Sequence, residues 1–236
     1  MLFVGKSGGV KAICCSPDNQ HLLTVGVDYQ ENTTAGAVRL WDISSGKLLR
    51  SFKGHSKLVT CAAFSPDGRY AITGGWDKIA ILWDVVSGSE VRVFDAHTDW
   101  LSAVAFSNDG SKVLTGGYDR TLRLWDSSSG RELRKFNVEG IVNTLSCSRN
   151  GRFVFFGNTP HKRSDWLAYS NLLLLDLQNL KISSPPSWAF SKSPFESSYT
   201  ALSPDGRFAL FNTEEKARVR GEDVVTCYLT LRELPE

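Results

Sequence analysis

The chain has 236 residues, 42% of them hydrophobic and 22% charged, which is enough apolar material for a sizeable buried core in one large domain or two small ones. Its 27 lysines and arginines stand against 25 aspartates and glutamates, so no strong net field draws it to nucleic acid or to an anionic membrane surface. No apolar run approaches the roughly 20 residues that span a bilayer, and the opening MLFVGKSGG is too short and too soon broken by glycine for a secretory signal, so a soluble, cytoplasmic protein is expected.

From the N-terminus, VKAICC is a short apolar run closed by the polar turn SPDN at Ser16, and VRLWD follows at 38–42. In CAAFSPDGRYAIT two apolar runs flank a turn at Ser65; TGGWDKIAILWD (73–84) then supplies a third run and EVRVFD a fourth. The pattern returns as SAVAFSNDGSKVLT, TGGYDRTLRLWD (115–126) and ELRKFN. It weakens afterwards: SRNG at Ser148 leads to LLLLD ending at Asp176, and SPDG at Ser203 leads to LTLRE ending at Glu233. Turns recurring every roughly 40–55 residues mark an array of one supersecondary unit. Two apolar runs joined by a tight polar turn are a β-hairpin, so each unit predicts four strands, and no stretch sustains the three-to-four-residue period of a helix.

The innermost strands, VKAICC, VTCAAF, LSAVAF, VNTLSC and YTALS, are apolar on both faces, as sheets sandwiched between neighbours require. Radial stacking of four-stranded sheets does this and protects their edges. The expected fold is therefore all-β, a β-propeller of four-stranded antiparallel blades in one domain, 1–236, with repeats at 5–53, 54–95, 96–137, 138–190 and 191–236.

The combination of GH at Gly54–His55, SPDG at 65–68, TGGWD at 73–77 and LWD at 82–84, matched by AHTDW, SNDG, TGGYD and LWD in the next unit, resembles the WD-repeat (β-transducin-like) β-propeller family. The resemblance covers the chain by period, with its diagnostic residues concentrated in repeats two and three. It implies a hydrogen-bonded cluster in each: His55, Thr73, Asp77 and Trp83, then His97, Thr115, Asp119 and Trp125. Repeat one keeps Thr24, Asp28 and Trp41 but has Lys6 where the others carry histidine, so its cluster should be incomplete. An Asp-His-Thr set also has the composition of a catalytic triad; its recurrence in equivalent places assigns it to stability instead. The family commonly closes its ring with the first strand, and Met1–Val4 do align with the fourth strand of a unit, RSFK at 50–53, so they are expected to complete the last blade. Such propellers have seven or eight blades more often than five. A small closed ring, an open arc that pairs with another chain or forms a homo-oligomer, and a piece of a larger protein all stay open.

In a four-stranded meander the turn between strands two and three and the link to the next unit emerge at the same end. That end receives the inserts YQENTTAG, NTPHKRSDWLAYS and NTEEKARVRGED, together with Leu58, Trp76, Trp100 and Tyr118. Clustered aromatics favour recognition, so these residues, with Trp166, are the expected contacts for a protein or peptide partner. In the last two inserts Lys162, Arg163, Lys216, Arg218 and Arg220 are balanced by Asp165, Glu214, Glu215, Glu222 and Asp223, which reads as a solvated mixed-charge loop rather than a phosphate groove, and nucleic acid is not expected as a partner.

No cofactor is called for, since GKS at 5–7 lacks the upstream glycine of a phosphate loop. No metal is expected either: His21, His55, His97 and His161 are dispersed without ligand spacing. Cys14, Cys15, Cys61, Cys147 and Cys227 show no C-x-x-C pattern and read as reduced core thiols. Asn32 in NTT fits a glycosylation acceptor by sequence alone, without a secretory signal to support it. The remaining classes are a non-catalytic binding scaffold, a self-assembling blade segment and, remotely, a propeller enzyme. The last would need acids, bases or metal ligands on the innermost strands, which offer one lysine.

Overall fold

The computed structural model describes residues 9–28, 35–148, 151–160, 171–183, 196–202, 208–219 and 222–233. Met1–Val4 and Trp166 lie outside the described residues, as do most of the first insert and the core of the second. The chain divides into two compact units, Met1–Asn137 and Val138–Glu236.

The first unit contains three antiparallel sheets of the same build. They are β1 (Val10–Cys15), β2 (His21–Val27), β3 (Gly36–Asp42) and β4 (Leu48–Phe52); then β5 (Val59–Phe64), β6 (Tyr70–Gly75), β7 (Ile79–Asp84) and β8 (Glu90–Asp95); then β9 (Leu101–Phe106), β10 (Lys112–Gly117), β11 (Thr121–Asp126) and β12 (Glu132–Asn137). Strands pair strictly in chain order within each sheet. The second unit holds the four-stranded sheet β13 (Gly140–Cys147), β14 (Phe153–Pro160), β15 (Asn171–Asp176) and β16 (Lys181–Ser183), and the three-stranded sheet β17 (Glu196–Leu202), β18 (Phe208–Val219) and β19 (Glu222–Glu233). No helix occurs among the described residues.

The polar turns form as they do because their side chains replace missing backbone partners. In the turn from β5 to β6, Ser65 Oγ donates to Asp67 Oδ1 at 2.5 Å and accepts from Tyr70 N at 2.9 Å, while Arg69 N donates to the same carboxylate oxygen at 3.0 Å. Gly68 closes the turn at φ +71°, a left-handed conformation that costs a glycine little. Ser107 and Asp109 repeat the arrangement between β9 and β10. At the turns after Trp-Asp, Asp84 and Asp126 accept from the serines that follow. These bonds hold the Asp126 carboxyl well below the usual carboxylate range.

Each inner strand begins with a register shift, at Val59/Cys61 on β5 and at Gly116/Gly117 opposite β9, and this explains the second glycine of TGG. A β-carbon on Gly75 would lie 2.4 Å from the Leu58 carbonyl oxygen, and one on Gly117 would lie 2.2 Å from that of Trp100. The backbones must meet there because Trp76 N donates to Leu58 O and Tyr118 N to Trp100 O, each at 2.8 Å. Gly26 meets Gly9 in the same way.

Between the sheets of the first unit the core repeats one chemistry in two clusters. Ala71, Trp83 and Val85 cluster with Leu23, Leu40 and Phe52 of the preceding sheet, and Val113 and Trp125 cluster with Ile72, Leu82 and Phe94. Arg50 and Arg92, equivalent on β4 and β8, reach into the turn of the following sheet, Arg50 to the carbonyl oxygens of Val86 and Ser87 and Arg92 to that of Ser128.

The last insert departs from the loop expected of it. Residues 212–219 and 222–223 continue the ladder as a long ribbon, paired from Phe208↔Glu233 to Val219↔Glu222. Each added pair satisfies its own backbone N–H and C=O groups, so residues inserted opposite one another lengthen the two strands at little cost. Strand β17 starts at Glu196, ahead of the YTALS run.

Candidate functional site

The repeat signature of the second sheet converges under the turn between β6 and β7. His55 Nδ1 meets Asp77 Oδ2 at 2.8 Å, His55 Nε2 meets Thr73 Oγ1 at 2.7 Å, and Trp83 Nε1 donates to Thr73 Oγ1 at 2.8 Å. The third sheet reproduces this with His97, Asp119, Thr115 and Trp125 at 2.8, 2.7 and 2.9 Å. A neutral imidazole protonated at Nδ1 satisfies every contact: it donates to the carboxylate and accepts from the threonine hydroxyl, which accepts from the indole. Both imidazoles are buried, and the cluster ties the link entering a sheet to its second and third strands.

The two carboxylates differ in one partner. Asp119 Oδ1 accepts from Thr121 Oγ1 at 2.8 Å and from Thr121 N at 3.1 Å. Ile79 occupies the equivalent position in the second sheet, and Asp77 Oδ1 is left buried without a partner. Burial pushes the Asp119 carboxyl up, but the hydrogen bonds from His97, the Thr121 hydroxyl and the Thr98 N–H hold it down at about 2.

In the first sheet Trp41 Nε1 donates to Thr24 Oγ1 at 2.8 Å, and Asp28 is held at 2.7 Å by Arg39 instead of a histidine. The Asp28 side chain is 31% exposed, against 4% for Asp77. Sequence reading did not single out Arg39. The signal was Arg39 inside the third strand, VRLWD, of a repeat that keeps the Trp-Asp pair and lacks the histidine; Arg123 holds the same place in TLRLWD, where the histidine is present.

Directly above the second and third clusters lie three of the aromatics expected at this end. Trp76, from the β6–β7 turn, stacks on Trp100, from the link into β9, with ring centroids 4.2 Å apart and planes inclined by 9°. Tyr118, from the β10–β11 turn, meets Trp100 edge-on at 5.5 Å. Trp76 and Tyr118 are each 37% exposed, Trp100 is half-buried, and Lys78 Nζ clasps Thr98 O at 2.8 Å across the same two sheets. Leu58 is half-buried and enters through its carbonyl, which accepts from Trp76 N. At the opposite end a groove of about 690 Å³ opens between the second and third sheets over Tyr70, Leu82 and Phe106. Its rim residues Ser65, Asp67 and Asp109 are engaged in their own turns.

Sheets of four meandering strands, stacked face to face and locked by a recurring Asp-His-Thr-Trp cluster, define a repeat protein with the blades of a β-propeller. The chain belongs to the WD40 family (WD domain, G-beta repeat), whose model matches residues 1–42, 46–84 and 88–126, just over half of the sequence. The last two of these matches end on the Trp-Asp pair and begin before the outer strand of one sheet, so each spans that strand and the three inner strands of the next sheet.

Among curated proteins the chain is similar to Autophagy-related protein 16 of Arabidopsis thaliana, 41% identical over 68 residues, which are 29% of this chain and 12% of that protein. It is 36% identical over 81 residues to Small ribosomal subunit protein RACK1 of Dictyostelium discoideum, covering 32% of this chain and 23% of the relative. WD repeat-containing protein 18 of Danio rerio is 32% identical over 75 residues, 32% of this chain and 16% of its own length. The chain thus spans under a quarter of the length of each of these relatives. Of solved structures, that of U3-55K shares the fold, with a TM-score of 0.71 at 16% identity over 89% of this chain and 60% of the other.

Proposed function

We infer that this chain is a non-catalytic module that binds a protein or peptide through the end of its first unit that carries Trp76, Trp100 and Tyr118. One observation carries the reading: three large rings are packed into a fixed stack while Trp76 and Tyr118 remain over one third exposed. Rigid aromatics lose little entropy on binding and are the side chains that most often dominate an interface. The buried clusters beneath them and the Lys78 clasp pre-organise the stack. Family membership supports a scaffold role; Cys61 is a free thiol buried in the core, whereas Cys15, expected there too, is exposed.

Affinity capture with the wild-type chain and with the Trp76→Ala/Trp100→Ala/Tyr118→Ala variant, matched for melting temperature, tests this. A partner retained by the first and lost by the second is expected; identical captures would reduce the stack to packing.

Self-association is a second reading, favoured by a separate feature. Ile13 and Leu48 are 64% and 47% exposed on the Trp41 side of β1–β4, the side that in β5–β8 packs against the preceding sheet. A light-scattering mass that doubles with concentration would support it.

A further inference from the structure

The charges that surround the aromatic stack limit what it can bind. The acidic residues of the two turns are consumed internally, Asp77 by His55 and Ser56 N, and Asp119 by His97, Thr98 N and Thr121. Their side chains are 4% and 3% exposed, so neither presents a carboxylate to solvent. The residue after each of them is a cation, Lys78 and Arg120, and both are exposed. Both adopt the left-handed backbone conformation, at φ +73° and +59°, so the turns project them in the same manner from adjacent sheets. Lys57, exposed in the link beside Leu58, adds a third cation. Asp99 and Asp95 are the opposing acids: Asp99 Oδ1 accepts from Trp100 N at 2.9 Å, and Asp95, exposed at the end of β8, lies across from Ile79, next to Lys78.

The rings have a matching restriction. Trp76 and Trp100 cover one face of each other, and Tyr118 abuts Trp100 edge-on, so no pocket between rings is left for a cationic head group. The accessible surface is the outer side of the stack, where a ring side chain can lie flat, with cations at its margins.

On the reading that this end is a binding site, we propose that its partner is an extended acidic peptide segment with a ring side chain, aromatic or proline, as anchor. The ring stacks on the Trp76–Tyr118 surface, and flanking carboxylates face Lys57, Lys78 and Arg120. Surface charges of this kind set orientation and partner choice more than they set affinity, so the sign of the partner's charge should be the sharpest discriminator.

The experiment is a fluorescence titration of the full chain with two synthetic peptides, one with a phenylalanine and a proline flanked by aspartates and glutamates, the other with lysines replacing the acids. The acidic peptide should bind about tenfold more tightly than the lysine one, and its advantage should shrink with added salt. Trp100→Ala should abolish binding of both, and Lys57→Glu/Arg120→Glu, which leaves the Lys78 clasp in place, should reverse the preference. Equal binding, or preference for the lysine peptide, with dependence on Trp100 would overturn the acidic partner and leave the binding site standing. Binding of neither, or binding indifferent to Trp100→Ala, would overturn both.

Discussion

Replacing Thr115 by valine isolates the energetics of the repeat signature. Valine keeps the β-branched shape of a residue in the middle of β10 and removes one hydroxyl. That hydroxyl accepts from Trp125 Nε1 at 2.9 Å and meets His97 Nε2 at 2.7 Å, and all three groups are buried. Two polar atoms therefore lose a partner away from water, and at about 1–3 kcal/mol for each stranded group the loss is roughly 2–6 kcal/mol. For a chain of this size, at about 2–4 °C per kcal/mol, that lowers the melting temperature by roughly 4–24 °C. Thr24→Val is the internal control. Thr24 is half-buried, its hydroxyl accepts from Trp41 Nε1 at 2.8 Å, and the Asp28 beside it is held by Arg39, so about 1–2 kcal/mol is expected. Urea titrations followed by tryptophan emission and circular dichroism would measure both on the full chain. If Thr115→Val costs no more than Thr24→Val, the cluster is not the lock described above.

Gly117→Ala should destabilise by about 2 kcal/mol or more, because the new β-carbon would lie 2.2 Å from the Trp100 carbonyl oxygen, a backbone atom that cannot swing away. Gly110→Asn, at φ +70° with nothing nearer than 3.7 Å, should cost under about 1 kcal/mol, and calorimetry of the pair distinguishes close approach from backbone preference. Because the Asp119 carboxyl is held down at about 2 in the folded chain, below its unfolded value, the stability it contributes is complete above the unfolded value and is lost as pH falls through about 2. Thr121→Val removes one hydrogen bond to that carboxylate, so acid unfolding monitored by circular dichroism should move to higher pH; an unchanged midpoint would show that Thr121 does not hold the charge.

Strand number, strand order and turn positions in the first unit were legible from one sequence because they rest on local chemistry. Ser65 and Asp67 build a turn from partners a few residues away, and Thr73 must share a face with Trp83 once their strands pair in register. The shape of the last insert was not legible. Residues 212–223 have the mixed charge of a solvated loop, and whether such a stretch leaves the sheet or prolongs it depends on the strand across from it, here Phe208–Val219 meeting Glu222–Glu233.

The candidate site divides along the same line. Trp76, Trp100 and Tyr118 could be assigned to one end from meander geometry, since that follows from strand direction alone. Their 4.2 Å stack, and the capture of Asp28 by Arg39, required neighbouring sheets and strands to be brought to contact distance. Periodicity, turn chemistry and the identity of the locking residues act within one repeat, where residue spacing specifies who can meet whom. Which aromatic shields which, which carboxylate oxygen is left alone beside Ile79, and which cations remain in water depend on packing between strands and sheets, where a side chain's partners are set by surfaces distant in the chain.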